Sequence, residues 1–390
     1  MLPFAYAFRN LFRSPVRLGA SVLGAALMVL LVLASAGFVR GMQQTLGAAE
    51  PLHEKVLLLG AGSEEALERS QIDASAASIA AASIRGVREV GGVPYVSPEL
   101  NTALPLFRPH EPERELSAVI RGVTDAALLV HPSVEVTAGR TPRTGADELM
   151  VGGLAATRMG LEDAELELGG SLLLDGRPFE IVGRFRAPQT VMDAEVWVPL
   201  PDLQVATRRE ATLSSVVLAM EPGASSFAAA DLFAKSRLDL ELTALREADY
   251  HASLNRFFRP IRAVVLLTAA LIGMGGLLGG LNTMYAAFAS RVREIGMLQA
   301  LGYRRVAVAL NLAQESLLAA AAGTALGLAV GHAALSGVAV RFSMGAFTLA
   351  LDAPVVLSAL AAGLALGVVG AIPPALACLR LPIPAALKSF

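Results

Sequence analysis

The chain has 390 residues, 54% of them apolar and 17% charged, against a usual charged share of about 25%. The net charge of −2 hides a segregation: residues 41–260 hold 31 acidic and 20 basic side chains, and the remainder 3 acidic and 12 basic. Such a composition excludes an ordinary soluble chain and places the two parts in different electrostatic settings.

Residues 1–17 come first. A helix over 3–13 sets Phe4, Phe8, Leu11 and Phe12 on one side and Arg9 and Arg13 on another, which predicts an amphipathic helix lying flat in the membrane interface before Pro15 breaks it. The alternative is a basic leader that serves only topology.

The 22 residues from Leu18 to Val39 carry no charge and form the first membrane span, residues 18–39. About 20 helical residues, at about 1.5 Å each, cross a hydrocarbon core of about 30 Å. The run exceeds a signal-peptide core of about 7–15 residues, so it is expected to stay as an anchor.

Residues 40–262 form a large polar insert, predicted to be an α+β domain. Val56–Leu59 reads as a strand, and Asp73 as the cap of a helix from Ala74 to Arg85. Further strands are expected at Val93–Ser97, Leu116–Val123 and Glu148–Val151. Ser171–Leu174 and Pro178–Arg186 are joined by Asp175-Gly176, a hairpin signature, and Glu195–Leu200 continues the set. Strand Ser215–Met220, helix Ser226–Leu238 and strand Leu240–Leu245 close the insert. The reading divides it into a layer built from both ends, about 50–130 and 212–248, around a strand-rich subdomain at about 131–211. The sole cysteine, Cys378, lies in the last span, so the insert has no disulfide.

Three spans follow with short loops: 263–290, 306–340 with an uncharged stretch from Ser316 to Val340, and 353–379, before a tail at 380–390. Arg9, Arg13 and Arg17 precede the first span, Arg291, Arg293, Arg304 and Arg305 lie between the second and third, and Arg380 and Lys388 follow the fourth. Positive charge favours the cytoplasmic side, which puts both termini and the 291–305 loop inside and the insert outside. The expected fold class is therefore a membrane protein of four transmembrane helices in a 1+3 arrangement, with a large extracytoplasmic α+β domain between the first two.

The search for catalytic chemistry is negative. There is no GxxxxGK[ST] loop to cradle nucleotide phosphates, no HExxH and no GxSxG. The histidines at 53, 110, 131, 251 and 332 have no metal-ligand spacing. A Ser316–His332 dyad fails because sixteen residues along one helix span roughly 24 Å. Paired carboxylates such as Glu64-Glu65 and Asp147-Glu148 read as solvated surface. No enzyme activity, metal or cofactor is expected in this chain.

In the 291–305 loop a short helix is expected, stopped by Gly302, with Ile295, Leu298 and Leu301 on its apolar side. Physics alone allows this helix either a protein partner or a resting place in the interface. Glu315, an ionisable residue at or in the membrane, is a candidate functional residue, with an interface position beside an arginine as the alternative. Gly275 with Gly279, Gly276 with Gly280, and Gly323, Gly327 and Gly331 repeat every four residues and suit close helix packing.

The string from Arg291 to Ser316, RVREIGMLQALGYRRVAVALNLAQES, resembles the signature of FtsX-like ABC permeases: an arginine-rich Glu-Ile-Gly segment, then Ala-Leu-Gly, then a Glu in the next helix. Arg9-Asn10-Leu11-Phe12-Arg13 and the stretch Pro373 to Leu387 are similar to that family's ends. The insert resembles the MacB-type periplasmic core in Gly139-Arg140, in Ala146-Asp147-Glu148-Leu149-Met150-Val151-Gly152 and in the Phe179–Phe185 strand. Ser290, Gln299 and Tyr303 depart from the family's usual acidic, basic and small residues.

The resemblance implies a mechanical permease in the inner (plasma) membrane. Two copies, identical or paralogous, would sit on a dimer of separate ABC ATPase subunits, which bind ATP and Mg. Arg291, Arg293, Glu294, Ile295, Leu298, Leu301, Arg304 and Arg305 would engage the ATPase. The cargo would be exported, or a lipoprotein or lipid extracted, with a periplasmic adaptor, an outer-membrane channel, a lipoprotein and membrane lipid as further partners and no nucleic acid. An FtsX-like regulator that activates a cell-wall hydrolase is the alternative, and a membrane sensor with an exported ligand domain a third reading.

Overall fold

The computed structural model describes residues 4–47, 54–64, 67–221, 224–342 and 345–380, with 382 and 384. Glu65, Pro222, Gly223 and Lys388, and the side chains of Phe4, Arg17, Ser225 and Cys378, lie outside the described set. The chain divides into a helical unit, Met1–Arg40, Pro260–Val338 and Leu349–Phe390, and an α+β unit, Gly41–Arg259 and Ala339–Thr348.

Among the described residues, four helices are long and apolar enough to cross a membrane. They are α2 (Pro15–Gly47), α9 (Arg259–Ala289), α11 (Arg305–Leu335) and α12 (Ala353–Leu379); α1 (Phe4–Leu11) precedes them, and α10 (Val292–Ala300) joins α9 to α11. The insert adds α3 (Ala76–Ser83), α4 (Ala126–Val130), α5 (Ala155–Met159), α6 (Leu200–Thr207), α7 (Ala224–Ser236) and α8 (Glu247–Phe257). Helix α2 runs eight residues past the expected end of the first span; Arg40 carries its charge there beside Asp352, 2.8 Å away. Helix α11 stops at Leu335 rather than at 340, because Gly337 takes a left-handed conformation (φ +77°) and the chain turns into a strand.

Close approach within the helical unit depends on missing Cβ atoms. A Cβ on Gly323 would lie 2.5 Å from the Val22 carbonyl oxygen, and one on Gly327 2.6 Å from that of Ala26; at Gly331 it would meet the Leu33 side chain at 2.6 Å. Gly363 and Gly367 of α12 do the same against α11, where Ser316 Oγ donates to the Gly367 carbonyl at 2.8 Å. The glycines of α9 behave otherwise. Among the described residues, a Cβ on Gly275, Gly276 or Gly279 would meet nothing within 4 Å, and one on Gly280 only Leu366.

Ten strands of the α+β unit form one sheet: β1 (Glu54–Gly60), β2 (Val96–Arg108), β3 (Glu111–Val123), β4 (Glu135–Gly139), β5 (Glu148–Gly152), β6 (Ser171–Leu174), β7 (Arg177–Arg186), β8 (Val196–Pro199), β9 (Ser215–Met220) and β10 (Leu242–Arg246). Their order is β10-β1-β9-β2-β3-β8-β5-β7-β4, with β6 bridging β7 back to β2. Pairing is antiparallel except between β7 and β5 and between β8 and β3. The bridge closes β2, β3, β8, β5, β7 and β6 into a ring, which removes open edges there. The 13-residue strands β2 and β3 pair with strands from both the end segments and the middle segment of the insert. The expected Asp73 cap is corrected. Helix α3 starts only at Ala76, and the Asp73 carboxylate accepts from Ser75 N and Oγ instead of capping the helix.

The strand period of two decides the rest. Val56, Leu58, Leu100, Ile120, Leu149, Val198, Val216 and Leu218 face a core shared with α3, α5, α6 and α7. Between β6 and β7 the turn residues Asp175 (φ +49°) and Gly176 (φ +79°) are both left-handed, as a two-residue hairpin with right-handed twist requires. The family-like motif around Gly139 has a packing cause. A Cβ there would lie 2.1 Å from the Val182 carbonyl oxygen, while Arg140 grips Glu148 through two hydrogen bonds of 2.5 and 2.6 Å. Hydrogen bonds from Arg140 oppose the effect of burial and, with the Arg143 backbone N–H and the nearby arginine charges, hold the Glu148 carboxyl down to about 2. Strands β11 (Ala339–Phe342) and β12 (Gly345–Thr348), from the loop after α11, also belong to this unit; Phe347 is buried there, 5.7 Å from the Phe342 ring.

Candidate functional site

Arg291, at the N-terminal end of α10, is the hub of a polar cluster in the helical unit. Its Nη1 lies 2.9 Å from Glu315 Oε2 of α11 and its Nε 3.0 Å from Glu294 Oε2. Asn10 Nδ2 of α1 donates to Glu315 at 2.9 Å, and Arg13 Nη1, in the turn after α1, donates to Glu294 at 2.6 Å. The N-terminal segment is therefore tied to α10 and α11, far along the sequence, by alternating charges. Burial opposes the Arg291 charge, but Glu315 and Glu294 outweigh it and raise its pKa. Burial likewise pushes Glu294 up, and Arg291 and Arg13 bring it below the usual carboxylate range.

Beneath the ion pairs lies an apolar joint. Val292 and Ile295 of α10 are buried against Phe288 of α9, Val308 and Leu312 of α11 and Ala375 and Leu379 of α12, with Leu298 at the margin. Helix α10 is thus seated on the ends of three long helices and cannot shift without disturbing them, since packed interiors deform little.

The eight loop residues singled out in the sequence fall into two groups. Arg291, Glu294 and Ile295 face inward, and Leu298 is half-buried, so the expected apolar docking side is corrected: Ile295, 2% exposed, packs within the chain. Arg293, Leu301, Arg304 and Arg305 are exposed, and Met297, Tyr303 and Val306 join them. An α-helix of nine residues has two sides, and the 3.6 period alone does not say which one a fold will cover. Glu315 is paired, with its side chain 16% exposed. Asn10, Arg13, Met297, Gly363 and Gly367 were missed; Asn10 had a signal, as a polar residue among phenylalanines on a helix that must meet another. Helix α1 buries Ala7 and Asn10 and leaves Phe8 and Phe12 exposed, their rings 5.2 Å apart.

Among the described residues no group of His, Cys, Asp and Glu is placed to hold a metal ion.

Known proteins share this organisation. Residues 18–235 match the MacB-like periplasmic core domain, and residues 263–383 the FtsX-like permease C-terminal domain. The chain is 27% identical over 237 residues to the macrolide export ATP-binding/permease protein MacB of Hyphomonas neptunium, a match covering 58% of this chain and 36% of that protein. It thus spans about a third of the length of that relative. Among solved structures it resembles the periplasmic region of MacB from Actinobacillus actinomycetemcomitans, with 10% identity, 52% and 92% of the two chains covered and a TM-score of 0.39. The extracellular domain of the ABC-type transporter YknZ from Gram-positive bacteria follows, at 15% identity, 49% and 98% coverage and a TM-score of 0.37. With a core-domain match over more than half its length and a permease match over three of its four apolar helices, the chain belongs to the FtsX/MacB-type ABC permeases.

Proposed function

We propose that this chain is the permease of an ABC transporter that converts ATP hydrolysis by a separate ATPase subunit into motion of its α+β unit. The observation that carries the reading is α10: anchored by Arg291 to Glu315 and seated on three long helices, it leaves Arg293, Met297 and Leu301 outward as a small basic and apolar patch. Exposed apolar residues rimmed by arginines suit a protein partner. A push on that patch reaches α9, α11 and α12 at once, and α2 and α9 carry it toward the α+β unit. Both termini and α10 are cytoplasmic and the α+β unit extracytoplasmic, in the inner membrane, on the arginine distribution given above. Two permeases on an ATPase dimer, with ATP and Mg held by the ATPase, complete the assembly. Its work is export or the extraction of a lipoprotein or lipid, and the balance between these is decided by the adaptor or channel it meets.

Purification of the native complex through a tag on this chain tests the reading. An ABC ATPase should copurify, and nucleotide turnover should require it. ATP hydrolysis by the isolated chain, or a complex containing a histidine kinase instead, would overturn it.

A further inference from the structure

We propose that the α+β unit holds a binding site for an uncharged, drug-sized amphipathic molecule, in the cavity between the polar face of its sheet and α8. The cavity measures about 720 Å³, within the range of small-molecule sites. It lies on the sheet face opposite the apolar core. Glu99 and Asn101 of β2, Arg121 of β3 and Ser215 of β9 line its floor, and Tyr250 and Leu254 of α8 stand across from them.

The floor is costly to bury. Lys55 Nζ lies 3.2 Å from His131 Nδ1, and His131 Nε2 lies 2.7 Å from Glu99 Oε1. Arg121 then joins Glu99 at 2.5 Å and grips Glu195 at 2.6 and 2.7 Å, and Trp197 Nε1 donates to Glu195 at 2.9 Å. An ammonium group only donates, so His131 Nδ1 accepts and Nε2–H points to Glu99. Burial raises the Glu99 pKa, but His131 and Arg121 more than reverse that and hold it at about 2. Buried ion networks of this kind add little stability over well-packed apolar side chains. A fold that needed only a core would fill this space.

The ligand class follows from what the network leaves unmatched. Each oxygen of Glu99 and Glu195 already accepts a hydrogen bond. Around the cavity the four carboxylates are balanced by three arginines and Lys55, so the walls offer no surplus charge to an ion. Two buried polar atoms of the floor, Asn101 Nδ2 and Ser215 Oγ, have no hydrogen-bond partner among the described residues. An amide nitrogen and a hydroxyl are answered by carbonyl or hydroxyl oxygens. Leu57, Val119, Val217 and Leu254 supply apolar wall for the rest of the molecule. An uncharged body with oxygens along one edge fits both; an anion or a cation would add an unpaired charge.

Trp197, the chain's single tryptophan, reports on this floor. The full chain, held in a tryptophan-free amphipathic polymer, is titrated with p-nitrophenyl glucoside, which is neutral and quenches tryptophan, with free tryptophan correcting for absorption. Saturable quenching with one site per chain is expected. Affinity should fall at least tenfold for p-nitrophenyl phosphate and for 4-nitrobenzylamine, and at least tenfold in Val217→Phe and in Ser215→Leu, which fill the cavity. Circular dichroism confirms that each variant is folded, and the three probes on the unaltered chain decide the matter if neither variant folds. Quenching that never saturates, charged probes that bind as well as the neutral one, or unchanged affinity in a folded filling variant would overturn the proposal. No ATPase takes part, so its failure leaves the coupling role untouched.

Discussion

Arg291 and Glu315 stand 24 residues apart in the chain and 2.9 Å apart in space, both largely buried, and their contact fixes where α10 begins relative to α11. Removing Glu315 leaves Arg291 with Glu294 alone, and so should cost less than the roughly 3–5 kcal/mol typical of a buried charge stripped of every partner. Glu315→Leu should therefore lower the melting temperature of the purified chain and loosen α10, seen as faster amide exchange over 292–300. Arg291→Leu in the same background should recover part of the loss. A lone Glu315→Leu chain as stable as the parent would show that the pair does not hold the helix.

The two sides of α10 should respond oppositely to an introduced charge. Ile295→Asp buries a carboxylate among Phe288, Val308 and Leu379 and should destabilise the chain itself, with low yield and early melting. Leu301→Asp, at a residue 76% exposed, should change stability by no more than about 0.5 kcal/mol while reducing ATPase copurification at least tenfold. Full ATPase recovery with Leu301→Asp and Met297→Asp together would remove the outward patch from the mechanism.

Glycine position should matter by contact and not by spacing. Gly327→Leu drives a side chain into the Ala26 backbone and should cost about 1–3 kcal/mol or more, with loss of the folded membrane unit. Gly275→Leu, which meets nothing within 4 Å, should leave monomer stability unchanged. Equal melting temperatures for the two variants would contradict the packing described.

The Arg140–Glu148 pair predicts a pH signature. The folded-state pKa of Glu148 is depressed to about 2 from an ordinary 4.5, so its stabilisation is present above about pH 4.5 and fades as pH falls toward 2. Glu148→Gln should lower the melting temperature most near pH 7, and the gap from the parent should close progressively below pH 4.5. A gap that widens with acid would reverse the sign and refute the pairing.

Topology is open to labelling. In a Cys378→Ser background, a cysteine at exposed Glu113 of β3 should react with a membrane-impermeant maleimide in spheroplasts, and one at Leu301 only after lysis. The opposite pattern would invert the orientation.

The sequence by itself determined the features that depend on local composition and period. Charge-free stretches longer than a bilayer is thick made four spans; the Asp175-Gly176 pair made a hairpin because few other dipeptides tolerate two left-handed residues; arginine placement gave an expected orientation. Tertiary structure decided what depends on which surface meets which. Nothing local in the α10 segment says that Ile295 rather than Leu301 would be covered, because both lie on apolar flanks of one short helix and only Phe288, Val308 and Leu379, from three other helices, choose between them. The same holds for two glycine rows of equal spacing: among the described residues, the one in α11 is filled by α2 and the one in α9 is not. It holds most of all for the chain of Lys55, His131, Glu99, Arg121 and Glu195, drawn from five separate segments, three of them strands, that only the tertiary fold brings side by side. Spacing along a chain records local periodicity, whereas a buried contact between distant segments is set by the packing free energy of the whole fold.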